Sequence, residues 1–329
     1  MRAPAAAPGT SAGAGVIDTA GRPSCPICDG DGPVRHDTLT DTLFGVPGTW
    51  RMRVCASPAC GATWLDPAPT EASIGAAYAR YYTHEAGAGE RGGAVAALLH
   101  TWWRVTGLAA ERAVLGRMAL DGLPPGRLLD VGCGDGRRFA ALEALGWRVE
   151  GQEIDPSAVA AARAAGHTVH LGPLSSLPAA AGPFDAVTLN HVIEHVHDPV
   201  GLLRASRRFL RPGGTLIAIT PNGASAGHRR FGPAWRGLEP PRHLIVFAPP
   251  ALARVAREAG FTQVDVRTSA ANAYTLGAAS LAAAARRAGV PLGFVAGRIG
   301  ALRFQTAASR AWRADPGSGE ECVLTAVAS

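Results

Sequence analysis

"LLDVGCGDGRR", residues 128–138, decides the fold. With Arg127 before it, "RLLDV" reads as a buried strand, and Gly132, Gly134 and Gly136 follow at alternate positions. Such a turn brings backbone so close to a ligand that a Cβ would collide with it. The spacing is G-x-G-x-G, whereas a dinucleotide pyrophosphate is seated by G-x-G-x-x-G at a helix N-terminus. Asp130 ends the strand, where a carboxylate repels a pyrophosphate and suits a cationic amino group. Glu153 ends the next strand-like run, "WRVEGQEI" (147–154), about 20 residues on, where an acidic side chain accepts from both ribose hydroxyls. Ile154 beside it joins the cofactor-binding set. The pocket therefore calls for adenosine, a positive charge and no phosphates, which S-adenosylmethionine fits. Asp130 and the glycine spacing disfavour an NAD-linked oxidoreductase.

Outward from this turn, strand and helix patterns alternate. "DGRRFAALEALG" (135–146) and "PSAVAAARAAG" (156–166) read as helices, the second with Pro at its first turn. "HTVHL" (167–171), "FDAVTLN" (184–190) and "GTLIAIT" (214–220) read as strands, with the helix "PVGLLRASRRFL" (199–210) between the last two. After a long loop come a helix "PPALARVAREAG" (249–260), a strand "FTQVDV" (261–266) and a final strand "ECVLTAV" (321–327). This order predicts an α/β, doubly wound Rossmann-like sheet covered on both faces. Residues 270–315 look helical and are long for a connection, so they are read as an insertion, either a lid or a dimer surface.

"LLDVGCGDG", "EGQEID", "FDAVTLNHVIEHVHDP" and "LRPGGTLIAITPN", in that order, resemble the successive motifs of class I S-adenosylmethionine-dependent methyltransferases. The resemblance covers about 125 to 265. The flanking "CPIC…CASPAC" and "WRGLEPPRHLIVFAP" are similar to a bacterial subgroup with an N-terminal cysteine ribbon, associated with sugars, glycans or secondary metabolites. It implies seven strands with the last antiparallel, a methyl acceptor that is a small molecule, and roles for particular residues. Asp130, Gly132, Gly134 and Gly136 shape the methionine end, Glu153 holds the ribose, Leu174 lies against adenine, and the Asn190 carbonyl faces the amino group. Family members usually carry an aspartate just before the adenine position, where this chain has Pro173.

"HVIEH" (191–195) spells the inverted zinc-protease motif H-x-x-E-H. It directly follows a strand and is soon followed by Asp198-Pro199, so it occupies a short turn at the C-terminal edge of the sheet. A peptidase needs a longer helix and a third ligand there, and that reading falls. In similar quinone-type O-methyltransferases the turn binds a divalent metal, which would use His191, Glu194 and His195. The simpler expectation is a histidine that deprotonates an acceptor hydroxyl. His191 is the first candidate, with His195 and His243 also named, and the rival is that Glu194 and His195 only pin the turn.

"PNGASAGHRRFGPAWRGLEPPRHLIVF" (221–247) is expected to overhang the pocket. Phe231 and Trp235 can stack on a ring, and Arg229, Arg230, Arg236 and Arg242 can bind a phosphate or carboxylate. A nucleotide-linked sugar or another anionic acceptor suits such a loop; an ordinary Pro/Gly-rich loop with solvated arginines is the alternative.

Four of the six cysteines form two pairs, Cys25 with Cys28 and Cys55 with Cys60, separated by 26 residues that include the strand-like "TWRMRVC". Turns on a β-hairpin presenting such pairs can close a tetrahedral thiolate site around a structural zinc. Two disulfides, or a ribbon that has lost its metal, are the alternatives. Cys133 and Cys322 read as small core residues. The expected division is a disordered lead-in (1–22), a zinc-ribbon-like module (23–66), a helical linker or cap (67–122) and the methyltransferase domain (123–329). Within the linker, "PTEASIGAAYARYYTHE" reads as a helix capped by Thr70, and a helical segment runs from about 93 to 120.

The chain has 329 residues, 47% of them hydrophobic, enough for a real core. Its net charge is +6 and every basic residue is arginine, which excludes lysine Schiff-base chemistry. The arginines form no block, so nucleic acid is an unexpected partner. No stretch reads as a signal peptide or a membrane span, and a cytoplasmic protein with no membrane partner is expected. RNA methylation and a non-catalytic cofactor-binding scaffold are the competing functions.

Overall fold

A computed structural model describes residues 17–78, 103–104 and 108–329. Five short strands come first: β1 (Thr19–Ala20), β2 (Val34–Leu39), β3 (Trp50–Val54), β4 (Thr63–Leu65) and β5 (Ala68–Pro69). After α1 (Leu108–Gly116) the alternating part begins with β6 (Arg127–Val131), α2 (Phe139–Glu143), β7 (Arg148–Glu153), α3 (Pro156–Ala164) and β8 (Val169–Leu171). It continues with β9 (Phe184–Asn190), α4 (Pro199–Arg207), β10 (Leu210–Pro221), α5 (Ala226–Phe231) and β11 (Ile245–Val246). The chain closes with α6 (Pro249–Glu258), β12 (Phe261–Ser269), α7 (Ala273–Arg287), α8 (Phe294–Ala314) and β13 (Glu321–Ala328).

The large sheet has seven strands in the order β12-β13-β10-β9-β6-β7-β8. β10, β9, β6, β7 and β8 run parallel, and β13 lies antiparallel to both β10 and β12. The strand order reverses at β6, beside β9, so the crevice past their C-terminal ends is where ligands bind in such sheets. The apolar runs predicted as strands are buried on both faces: Leu128, Leu129, Val187, Leu189, Leu216 and Ala218 have no exposed surface. Two helices start where their caps place them. Asp155 accepts from Ser157 N at 2.8 Å before Pro156, and Asp198 accepts from Gly201 N at 2.7 Å before Pro199.

The N-terminal part is woven into this body. β2, β3 and β4 form a sheet whose fourth strand is β11, from the loop after β10. Trp64, Met52 and Leu65 share one core with Leu244, Ile245, Phe247 and the β9–β10 region. The lead-in begins earlier as structure than expected: residues 1–16 lie outside the described residues, but β1 pairs antiparallel with β5 and Arg22 N donates to Asp66 at 2.7 Å. Of the helix expected after Thr70, the described part is a short 3-10 turn, Ile74–Tyr78; Tyr81 and Tyr82 lie outside the described residues. Of the segment expected from 93 to 120, α1 and the pair Trp103–Arg104 are described. Residues 270–315 form the antiparallel-connected hairpin of α7 and α8.

Candidate active site

The glycine turn after β6 is left-handed at all three glycines, with φ of +67° at Gly132, +59° at Gly134 and +74° at Gly136. Their surroundings differ. A Cβ on Gly132 would meet Val192 Cγ2 at 2.6 Å, and one on Gly136 would meet His167 Cδ2 at 2.8 Å. A Cβ on Gly134 would meet nothing within 4 Å, so this glycine alone faces open space. Gly132 and Gly136 thus serve packing, while Gly134 leaves room for a ligand against the backbone.

Asp130 is buried beneath this turn. Thr188 Oγ1 donates to its Oδ1 at 2.7 Å, and Arg138 lies 3.7 Å from Oδ2. Oδ2 is buried without a hydrogen-bond partner. Burial pushes this carboxyl's pKa up despite the cation of Arg138. An orphaned buried carboxylate oxygen is costly and asks for a donor, which a cationic amino group supplies. Glu153 ends β7 with its carboxylate turned on the glycine turn: Oε2 accepts from Gly134 N at 2.9 Å, and Oε1 accepts from Ile154 N at 2.7 Å and Asp155 N at 3.0 Å. A carboxylate has about four lone-pair sites, so Oε2 keeps capacity for a ligand hydroxyl. Ile154 is 70% exposed, and Leu171, the residue following in register beside Glu153, is 48% exposed. Leu174 lies instead in the main core, 6% exposed, so its side chain does not present an open face for adenine.

The HVIEH turn packs on the glycine turn through Val192. Asn190 ends β9 half-buried, in register with Ile219, and His191 follows in the left-handed region with φ of +54° while its N–H donates to Ile219 O at 2.8 Å. Its ring is clamped between two carboxylates, with Nδ1 3.1 Å from Glu194 Oε1 and Nε2 3.1 Å from Glu321 Oε1. Burial alone would lower the pKa of this imidazole, but the two carboxylates outweigh it and hold it at about 10. Glu194 is fully buried; burial would raise its pKa, but His191 brings it down to about 2, and Thr220 Oγ1 donates to its other oxygen at 3.0 Å. An imidazolium with both nitrogens committed to carboxylates is the opposite of a resting general base, which corrects the expectation for His191.

The other two histidines lie together. The ring centroids of His195 and His243 are 4.7 Å apart, edge to face. His195 Nδ1 is 2.9 Å from the Tyr78 hydroxyl and donates to Arg242 O at 3.1 Å. His243 Nδ1 donates to Gly237 O at 2.8 Å, which leaves its lone pair on Nε2, and burial holds its pKa at about 4. One nitrogen from each ring and one oxygen of Glu194 lie within 4.8 Å of one another. Two imidazoles, each with Nδ1 on a backbone carbonyl, and one carboxylate are a donor set for a divalent transition metal. This trio replaces the expected His191, Glu194 and His195, because His191 spends its nitrogens on Glu194 and Glu321.

The acceptor loop is largely internal. Arg242 is fully buried: its Nε donates to Glu239 Oε1 at 2.9 Å, its NH1 to Asp41 Oδ2 at 2.9 Å, and it lies 4.4 Å over the Phe44 ring. Arg236 is also paired with Glu239. Trp235 is 2% exposed, stacked on His228, with Nε1 donating to Glu320 at 3.3 Å. These three residues therefore hold the loop and are not placed to bind an acceptor. Phe231 packs against Phe304, whereas Arg229 donates to Ala224 O near the surface. Glu239 and Glu321 were missed in the sequence. The signal for Glu239 was its spacing of three and four residues from Arg236, Arg242 and His243; Glu321 had none.

In the N-terminal part, Cys25 and Cys60 Sγ are 3.7 Å apart, Cys28 and Cys55 Sγ are 3.4 Å apart, and all four sulfurs lie within 4.8 Å of one another. A disulfide needs about 2.05 Å, whereas a tetrahedron with metal–sulfur bonds of about 2.3 Å spaces its sulfurs roughly 3.8 Å apart. None of the six cysteines is in a disulfide.

A model of the methyltransferase domain matches residues 107–266. That stretch, just under half of the chain, is where the chain is similar to the methyltransferase family. Ubiquinone biosynthesis O-methyltransferase of Xanthomonas campestris is 36% identical, over 39% of this chain and 59% of its own length. The protein of the same name from Caulobacter is 38% identical, over 34% of this chain and 46% of its own. The chain thus spans about half to three fifths of the length of these curated relatives. Among solved structures, an S-adenosylmethionine-dependent methyltransferase from Thermotoga maritima shares 20% identity with a TM-score of 0.45, covering 71% of this chain and 96% of that one.

Proposed function

We propose that this chain transfers a methyl group from S-adenosylmethionine to a hydroxyl of a small-molecule acceptor. The observation that carries the reading is the contact between two turns: Val192 of HVIEH meets Gly132, so the histidine-rich turn stands over the cradle that Gly134 leaves open. When bound, the cofactor supplies an activated methyl on a sulfonium, and the protein's task is alignment and desolvation. Asp130 Oδ2 takes the amino group, Glu153 the ribose hydroxyls, and Ile154 with Leu171 the adenine face. The Asn190 carbonyl borders the amino group.

His195 accepts the acceptor's proton at Nε2, with Nδ1 held by the Arg242 carbonyl and beside the Tyr78 hydroxyl. The His191 imidazolium bridges Glu194 and Glu321 and so fixes the turn. A second reading rests on the trio Glu194, His195 and His243: these residues would hold a divalent cation, and the metal would orient acceptor oxygens as a Lewis acid. The four cysteines hold a structural zinc, with no open position for substrate. The relatives named for O-methylation support oxygen as the nucleophile. A nucleotide-linked sugar remains the finer reading, though with Arg236 and Arg242 internal, only Arg229 and Arg230 of the four loop arginines could meet its phosphates.

The test is labelled methyl transfer from S-adenosylmethionine to hydroxylated aromatics, nucleotide sugars and RNA, with metal content measured on the same protein. Label on a small hydroxylated acceptor is the expected result. Label on RNA alone would replace this reading.

A further inference from the structure

The hairpin of α7 and α8 differs in charge from everything else in the chain. From Ala273 to Ala314 it contains Arg286, Arg287, Arg298, Arg303, Arg310 and Arg313 and no acidic residue. The chain has 32 basic and 26 acidic residues, so these six arginines account for its entire net charge of +6. At the turn, Val290 (55% exposed), Leu292 (40%), Phe294 (71%), Val295 (67%) and Ile299 (45%) present their side chains to solvent. Exposed apolar residues scattered singly need no explanation, but a contiguous group at a protruding tip marks an interaction surface.

The base of the hairpin is fixed, so the tip's exposure is a consequence of the fold. Phe304 packs on Gly277 and Phe231, and Gln305 ties the start of α7 to α8 through Tyr274 N and Ala270 O. Arg286 and Arg287 end α7 at the tip, and Arg298 stands 4.3 Å over the Phe294 ring. With a rise of about 1.5 Å per residue, Arg303 follows roughly 13 Å along α8 from Phe294. Apolar side chains at the end, ringed by guanidinium groups within a Debye length or two, match the boundary between lipid tails and anionic headgroups.

We propose that this hairpin tip docks the protein on an anionic lipid surface, with Leu292, Phe294 and Val295 entering the headgroup–acyl boundary and the arginines on lipid phosphates. Charge complementarity selects this occupant. A second copy would bring the same six arginines without a single carboxylate on its hairpin. No helix among the described residues is long and apolar enough to cross a membrane, and peripheral docking needs none. This inference does not depend on the identity of the methyl acceptor.

Co-sedimentation of the full chain with vesicles of phosphatidylcholine, and of equal parts phosphatidylcholine and phosphatidylglycerol, tests it. Binding is expected to the mixed vesicles only and to weaken as salt rises. Phe294→Ser with Val295→Ser should reduce it at least about tenfold, and each of Arg286→Gln, Arg287→Gln and Arg298→Gln about fivefold. The unfolding midpoint should stay unchanged, since all these side chains but Arg298, half-buried, are exposed. No binding to the mixed vesicles, or equal binding by the serine variant, would overturn the proposal. So would a vesicle-free dimer that the serine variant converts to monomer, which would make the tip a protein interface.

Discussion

Arg242→Ala is expected to lower the unfolding free energy by about 3–5 kcal/mol, read as a fall in the urea midpoint. Arg242 has no exposed surface and stands between Asp41 and Glu239, themselves buried. Removing the guanidinium leaves buried Asp41 without its cation and Glu239 with Arg236 alone, and breaks the link between Asp41 in the N-terminal part and the loop after β10. Burial would raise the pKa of both acids, but their arginine partners hold them below the usual carboxylate range, as does His243 for Glu239. Their contribution is therefore present above the ordinary carboxylate pKa and lost as pH falls through the folded values. The difference between wild type and Arg242→Ala should be largest near neutrality and shrink in acid. A variant as stable as wild type at neutral pH would show that the buried pairs do not hold the two parts together. Carrying Asp41→Asn in the same background should recover part of the loss.

His195→Ala is expected to lower kcat about 10²–10⁴-fold while leaving affinity for S-adenosylhomocysteine unchanged. Its partners include the Tyr78 hydroxyl, the Arg242 carbonyl and the His243 ring, and these three lie outside the glycine cradle. Steady-state kinetics with the best acceptor, beside calorimetry for the cofactor product, separates the two effects. Full turnover in the alanine variant would remove His195 as proton acceptor. A loss of turnover that tracks loss of bound metal would favour the cation reading of Glu194, His195 and His243.

The sheet was legible because its evidence is local. Apolar runs of strand length, Gly132, Gly134 and Gly136 after one of them, and Pro156 at the first turn of a helix each declare themselves within a few residues. The seven strands and the antiparallel β13 follow from the family these motifs resemble. What failed to declare itself was long-range. β11 is two residues long, and nothing in "LIVF" says that it completes a sheet begun some 210 residues earlier. Arg236, Trp235 and Arg242 sit in a Pro/Gly-rich stretch and read as a surface loop, yet Trp235 and Arg242 are buried, and Asp41, Glu239 and Glu320 pair with the three. His191 read as a base because it directly follows the fourth strand, nearest the expected methyl position; Glu321, arriving from the last strand, joins Glu194 on its ring and raises its pKa.

Calorimetric titration of the folded chain with S-adenosylhomocysteine, with NAD run beside it, tests the central claim most directly. The account predicts that the homocysteine compound binds and NAD does not, and that Glu153→Ala weakens binding by about 10- to 100-fold, as loss of hydrogen bonds to a charged group implies. No heat of binding from protein shown to be folded, or equal affinity in Glu153→Ala, would contradict it.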